Sequence, residues 1–354
     1  MCTHTRNSCG KRESMDMVKI LCYDIKNEGK VGGELEELLH KLSRDRWLTA
    51  QEYTLLLTQP LTAQARHLAD RERRARFGTG VYLRGLIDLS SICPHDCALC
   101  HQRSSADHTR YRMRPREILD CCEDAWAMGV HNFLLRSGPD KFYTDKMLRG
   151  LIAQIREHFP GCAVALALGE RDAESLRMLS DAGADRYVLL QETADPDRFR
   201  ANHPPEFDFG RRLHAMNALK ETEFQTVCGF LVGDQPPAEL ARELKFIEEF
   251  QPHGVELVPM GAEPETVEYL ISLIRLMLPE ALIVAPDNDP GQILAGANVV
   301  TQSLIRSRRS HPLCGGCHSD GPADPESLAA LHRSLAEVGF EVEMSLPPWL
   351  GSAQ

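Results

Sequence analysis

Past residue 33 the chain carries leucines at three- and four-residue steps, at Leu35, Leu38, Leu39 and Leu42. That spacing places one apolar stripe along a helix, and a second amphipathic segment follows Thr49. Residues 34–80 therefore read as N-terminal helices, a cap ahead of the main fold. From Tyr82 the pattern changes to short apolar runs separated by helix-length amphipathic stretches. The expected strands are Tyr82–Leu89, Asn132–Arg136, Ala163–Leu168, Arg186–Leu190, Thr226–Leu231, Val255–Val258, Leu282–Ala285 and Asn298–Thr301. One intervening helix begins at Pro115, a favoured first helical position, and turns Ile118, Leu119, Cys122, Ala125 and Trp126 inward. Gly129, Gly183, Gly254 and Gly296 stand before strands, as helix C-caps would.

Eight strands alternating with helices predict an α/β fold, a parallel (β/α)8 TIM-type barrel over residues 81–310. An open doubly wound sheet is the rival. No Gly-x-Gly-x-x-Gly follows the first strand, which counts against it. Residues 1–33 are polar with scattered charges and no apolar core, and read as a disordered or misassigned N-terminal segment. Residues 311–354 form a short C-terminal extension, with a helix bearing Leu328, Leu331 and Leu335 and a strand at Phe340–Met344.

Composition narrows the partners. The 354 residues hold 51 acidic against 40 basic side chains, a formal charge of −11. No basic stripe for nucleic acid is visible, and the run Arg306, Arg308, Arg309 reads as a solvated face. No apolar run reaches the ~18 residues a membrane helix needs. The expected location is cytoplasmic. Twelve cysteines are many for such a chain. Cys121, Cys122, Cys162 and Cys228 sit in apolar surroundings and read as small buried hydrophobes. Two tight groups remain, Cys93/Cys97/Cys100 and Cys314/Cys317, and clustering of this kind favours metal over disulfide.

The strongest signal is Cys93-Pro-His-Asp-Cys97-Ala-Leu-Cys100, directly after the first strand. Steps of four and three residues let three thiolates of one loop meet one face of an iron–sulfur cube. Such clusters normally take four cysteines. Three leave one iron open, as an open position marks a catalytic zinc. The competing reading is structural zinc, with His95, His101 or His108 as the fourth ligand.

This Cys-x3-Cys-x2-Cys loop resembles the motif of radical S-adenosylmethionine (SAM) enzymes. Leu83-Arg84-Gly85-Leu86-Ile87, Arg110-Tyr111-Arg112-Met113, Ser137-Gly138, Leu168-Gly169-Glu170, Gly183-Ala184-Asp185-Arg186-Tyr187, Glu192-Thr193-Ala194-Asp195-Pro196 and Ala297-Asn298-Val299-Val300 resemble the HydE-like group within it, from about Glu34 to Thr301. That group includes maturases of FeFe-hydrogenase and the methylornithine synthases. The resemblance implies a 4Fe–4S cluster on Cys93, Cys97 and Cys100, SAM on the open iron, and reductive cleavage to a 5′-deoxyadenosyl radical. It implies SAM contacts from Ser137, Gly138, Glu192 and Arg212, and a reductant such as flavodoxin or ferredoxin. Leu99 stands where the family usually has an aromatic residue.

On the substrate side the resemblance loosens. Ala165 and Ala167 replace small hydroxyl residues, Leu190-Gln191 replaces Arg-His, and Pro286-Asp287-Asn288-Asp289 replaces a Thr-Thr stretch. These changes remove a cation and several donors that an anionic iron complex would want. Ala165, Ala167, Gln191 and Asp287 are thus the expected substrate positions. The substrate is a small iron complex in hydrogenase maturation or, alternatively, a small amino acid whose ammonium meets Asp287 and Asp289. A solvated turn is the plain reading of those aspartates. Cys314-Gly-Gly-Cys317-His318, with His311 nearby, matches the region where the resemblance places an accessory iron–sulfur site, one cysteine short. A vestigial cluster, a zinc pair, a redox dithiol and a flexible tail stay open there. A metal-binding scaffold without radical chemistry is the third function class.

Overall fold

The computed structural model describes residues 33–304 and 324–344. A helix over residues 33–45 (α1) leads into α2 (Ala50–Thr58) and α3 (Thr62–Phe77). The α2 start is fixed by a capping box: Thr49 Oγ1 accepts from the Glu52 amide at 3.2 Å, and the Glu52 carboxylate accepts from the Thr49 amide at 2.8 Å. Then follow β1 (Gly80–Asp88), α4 (Pro115–Ala127), β2 (Asn132–Arg136), α5 (Asp145–His158), β3 (Ala163–Ala167), α6 (Ala173–Asp181) and β4 (Arg186–Val188). Next come α7 (Pro196–Asn202), α8 (Phe209–Lys220), β5 (Gln225–Val232), α9 (Pro237–Phe250), β6 (Gly254–Pro259) and α10 (Pro264–Met277). The described chain finishes with β7 (Leu282–Val284), α11 (Pro290–Leu294), β8 (Val299–Ser303), α12 (Pro325–Glu337) and β9 (Glu341–Glu343).

Strands β1 to β8 pair in sequence order and in parallel, and β1 closes the ring by pairing with both β8 and β2. The (β/α)8 barrel is therefore present. Strand β9 adds a ninth member: it pairs with β1 at Gly80–Tyr82, while β2 takes the same edge further on, at Gly85–Asp88. The C-terminal strand thus fills the stretch of β1 that β2 leaves open, rather than standing apart from the barrel.

Alternation along β1 shows how the barrel is filled. Val81, Leu83 and Ile87 join the large core shared with the helices. Tyr82 and Leu86 point the other way and join smaller clusters inside the ring, one of them Leu86, Leu134, Ala165, Val188 and Val227. The N-terminal helices lie outside, α2 on α9 and α3 on α10. Buried Tyr53 donates to Glu248 at 2.8 Å, and Tyr269 donates to the Leu56 carbonyl at 3.1 Å. Arg73 reaches the barrel floor, donating to the carbonyls of Ala297, Gly78 and Gly80.

Two expectations need correction. Gly129, Gly183 and Gly296 do have positive φ after helices, but Gly254 lies in β6, and the left-handed cap of α9 is Gln251, with φ 49°. Cys122, Cys162 and Cys228 are buried as expected, whereas Cys121 is only half-buried. Adjacent helix positions diverge too far for both members of the 121/122 pair to face the core. Cys314, Cys317, His311, His318 and the arginines at 306–309 lie outside the described residues.

Candidate active site

The segment between β1 and α4 has almost no regular structure, so its shape must come from side chains. Arg110 supplies it. Its guanidinium donates to four carbonyls: Ser91 at 2.5 Å, Gln102 at 2.8 Å, Arg103 at 2.6 Å and Ala106 at 3.1 Å. Asp140, after β2, clamps the base of the loop, accepting from Ser90 at 2.6 Å and from Arg112 at 2.7 and 2.8 Å. The Tyr143 hydroxyl lies within hydrogen-bond distance of the carbonyls of Leu89 and Met113, where the loop leaves and rejoins the barrel. At its tip, the Ala98 amide donates to the Asn202 carbonyl at 2.8 Å.

Cys93, Cys97 and Cys100 are free thiols, half-buried, and all three line one cavity of about 340 Å³ in the mouth of the barrel. Burial raises the pKa of each, that of Cys97 to about 12. Glu192 adds to the effect at Cys97 and Cys100. As free groups they are therefore protonated thiols that need a bound metal to become thiolates. Gly138 faces Cys93: a Cβ there would sit 3.1 Å from the Cys93 Cβ and Sγ. Of the histidines weighed as a fourth ligand, His95 lies edge-on to Phe207 with ring centroids 4.5 Å apart and its Nδ1 3.5 Å from Glu206. His101 is exposed.

Opposite the thiols lies a buried charge relay. Arg212 Nε donates to Glu170 at 2.7 Å, and its Nη1 donates to Glu192 at 2.9 Å and to the Leu190 carbonyl at 2.6 Å. Glu192 also meets His203 Nε2 at 3.0 Å. The His203 Nδ1 lies 2.8 Å from the Phe199 carbonyl, so both ring nitrogens face acceptors. Burial alone would raise the Glu192 pKa, but the bonds from His203 and Arg212 outweigh it and hold the carboxyl below its usual range. Burial would likewise lower His203, and Glu192 reverses this and raises it. Glu192 sits at φ 67°, a strained setting for a side-chain-bearing residue just beyond β4. Ser137 follows β2, its amide donating to the Ala167 carbonyl at 3.0 Å and its hydroxyl to the Gly138 carbonyl at 2.8 Å.

The structure brings Ser137, Gly138, Glu192, Arg212 and Ala167 onto the cavity wall with the thiols. Three expected substrate positions are not there. Ala165 lies in the apolar ring inside the barrel with Leu86 and Leu134. Gln191 is fully buried, with Oε1 accepting from the Gly229 amide at 2.9 Å, so its side chain braces β5. Asp287 is exposed and accepts from Gln292 at 2.9 Å, while Asp289 caps α11.

Other wall residues carried no role in the sequence reading: Arg84, Glu256 and Thr301 on the floor, and Glu170 and His203 beside Arg212. Arg84 and Glu170 fall inside motifs already singled out. Glu256 and Thr301 could have been found from strand alternation, being polar residues at inward positions of strands.

Fold and site together define a barrel enzyme whose chemistry is held on loops at the strand C-termini, the active end of this architecture. The radical SAM superfamily model matches residues 87–247. The chain is 32% identical over 249 residues to the [FeFe] hydrogenase maturase subunit HydE of Thermotoga maritima, covering 66% of this chain and 70% of that one. It is 26% identical over 297 residues to the 3-methylornithine synthase of Methanosarcina barkeri, covering 77% and 84%. The crystal structure of methylornithine synthase (PylB) superposes with a TM-score of 0.73 at 23% identity, over 86% of this chain and 97% of that one. The chain belongs to the radical SAM superfamily. It is a radical SAM enzyme related to HydE and PylB, of a family that uses a 4Fe–4S cluster and SAM.

The residues present fit that cluster. Three free thiols converge on one cavity, and the missing side chain at Gly138 leaves room beside Cys93. Among the described residues no three His, Cys, Asp or Glu side chains are gathered around one single-ion position, so the fit rests on the donor set and on that room. No described helix is long and apolar enough to cross a membrane.

Proposed function

We propose that Cys93, Cys97 and Cys100 hold three irons of a 4Fe–4S cluster, and that the wall formed by Ser137, Gly138, Glu192 and Arg212 holds SAM. When bound, the cluster and SAM supply reductive C–S cleavage to methionine and a 5′-deoxyadenosyl radical. The chain's own residues seat and shield these groups. Arg212 has three of its bonds committed to Glu170, Glu192 and a carbonyl. Among the described residues its Nη2 has no partner, which leaves a donor for the carboxylate of SAM. Glu192, held ionised by His203 and Arg212, presents a carboxylate toward the cationic amino group or ribose hydroxyls. The apolar wall at Leu190, Leu231 and Val258 keeps water from a reactive carbon.

The biological role we propose is HydE-like, in maturation of [FeFe] hydrogenase, with a small iron complex as substrate and flavodoxin or ferredoxin as electron donor. The 32% identity to HydE supports it. A second reading is a mutase or lyase acting on a small amino acid. The similarity to 3-methylornithine synthase favours it, as does the acidic Glu256 beside Arg84 on the cavity floor.

The observation that carries the proposal is the convergence of three thiols from one loop on a single cavity. Anaerobic reconstitution with iron and sulfide tests it. The wild type is expected to take up a brown cluster of four irons and four sulfides per site, and Cys93→Ala, Cys97→Ala and Cys100→Ala each to lose it. Wild type that instead retains stoichiometric zinc on these thiols would defeat the reading.

A further inference from the structure

We propose that Glu243, a buried carboxylate on α9 that does not line the cavity, is a positioning residue: it fixes the turn that presents Glu192 to SAM. It rests on the reading of the Glu192–Arg212 wall as the SAM site, and names what holds that wall in shape.

The turn needs holding. Glu192 sits at φ 67°, a conformation that persists only where the surroundings over-determine it. Its backbone leans on β5: its amide donates to the Gly229 carbonyl at 3.1 Å, and its carbonyl accepts from the Leu231 amide at 2.9 Å. On the near side Gln191 is tied to the Gly229 amide. On the far side the tie is Glu243. Its Oε1 accepts from Thr193 Oγ1 at 2.8 Å and from the Ala194 amide at 2.7 Å. Thr193 Oγ1 in turn accepts from the Asp195 amide at 3.1 Å. One carboxylate oxygen therefore secures the chain directly after Glu192.

Packing alone does not account for an acid at this position. Glu243 is 2% exposed, and burial pushes its carboxyl pKa up against the bonds from Ala194 and Thr193. Among the described residues its buried Oε2 has no hydrogen-bond partner. A carboxyl kept out of water with one oxygen unused costs stability.

Glu239, Arg242 and Glu243 stand three and four residues apart, on one side of α9. Arg242 Nη2 donates to Asp195 Oδ2 at 2.9 Å, and Glu239 Oε2 accepts from Arg198 Nη1 at 2.6 Å. Asp195 caps α7, and His203 follows its last turn. Those two contacts hold α7 and with it His203, while Glu243 holds the turn before it. With both held, the Glu192 carboxylate meets His203 Nε2 at 3.0 Å and Arg212 Nη1 at 2.9 Å.

The test uses full-length protein, reconstituted anaerobically, and two readouts. One is the pKa of His203, followed by NMR of 13C-labelled histidine before SAM is added; its signal is the one absent from His203→Phe. The other is the dissociation constant for SAM. In the wild type His203 is expected to titrate above 6.5. Glu243→Met keeps the bulk and removes the acceptor, so Glu192 is released from His203. The His203 value is then expected to fall toward 6.5, and SAM to bind at least ~10-fold more weakly. Glu243→Gln retains an accepting oxygen and is expected to keep both values. An unshifted His203 in Glu243→Met, or an equal loss in Glu243→Gln, overturns the inference. If Glu243→Met fails to fold, Thr193→Val decides: it removes one of the two donors, and a wild-type His203 and SAM affinity there overturn it. Arg212→Ala separates the two layers. Undiminished SAM affinity in Arg212→Ala sinks the reading of the wall, whereas a loss there with none in Glu243→Met sinks only the role of Glu243.

Discussion

His203 shows how much one side chain controls in this site. Its ring stacks on Phe199 with centroids 4.1 Å apart, lies near Phe207, and touches Glu192, which Arg212 also holds. With acceptors at both ring nitrogens, its protonated form is the one the site selects. The sign follows from the two shifts. His203 is raised above 6.5, so its contribution is complete below that pH and fades as pH climbs through the raised value. Glu192 is lowered from 4.5, so its contribution is complete above that pH and fades as pH falls through the lowered value. His203→Phe should therefore cost most in the mildly acid window between them, about 1.5–3 kcal/mol for a buried charge-assisted bond. The melting-temperature gap between wild type and variant, followed against pH, should narrow on both flanks. A gap independent of pH would mean the ring acts by packing alone. Gly138→Ala makes a second point at this scale. The backbone φ there permits alanine, but the new Cβ meets Cys93 Sγ. The variant should fold with nearly normal stability yet carry much less iron after reconstitution, measured as iron per chain.

Individual roles are the least legible part of the sequence. Gln191 and Asp287 are expected at the substrate because they replace other residues in a motif, yet a motif does not say which way a side chain turns. Gln191 spends its amide oxygen on the Gly229 amide, and Asp287 spends its carboxylate on Gln292. Both are settled by partners on other segments. The three cysteines were legible because a single loop brings them together, so their spacing alone carries the geometry.

Among the elements, the loop that carries the thiols is the least regular and depends on one guanidinium. Arg110 donates to four partly buried carbonyls, of which that of Arg103 also accepts from the Ala106 amide. Arg110→Ala should loosen residues 90–110 while leaving the barrel intact. Hydrogen exchange should quicken across that loop, with little change in strands such as β5. The global cost should be about 2–4 kcal/mol, and uniform exchange across the whole chain would contradict a local role. Strand positions were legible because buried parallel strands read as short apolar runs between helices. Their ends were less so. The fourth strand stops at Val188, short of Leu190, and beyond it regular pairing with β5 gives way to an isolated bridge between Glu192, at positive φ, and Phe230. The pairing of β9 with β1 could not be read at all, since it depends on β2 leaving part of an edge uncovered.

For the whole molecule, closure of eight parallel strands turns scattered motifs into one site. Cys93 follows β1, Ser137 and Gly138 follow β2, Glu170 follows β3, Glu192 follows β4, and Arg212 rises from α8. They are far apart in sequence and share one cavity because all leave the barrel at the same end. The membership in the radical SAM superfamily and the geometry of that cavity make a joint demand: electrons delivered to this site must break SAM, and only with all three thiols in place. The direct measurement is 5′-deoxyadenosine formed by anaerobically reconstituted protein supplied with SAM and dithionite. The account predicts methionine and 5′-deoxyadenosine in equal amounts from the wild type and neither from Cys97→Ala. Intact SAM in the wild-type reaction, or undiminished cleavage by Cys97→Ala, would contradict it.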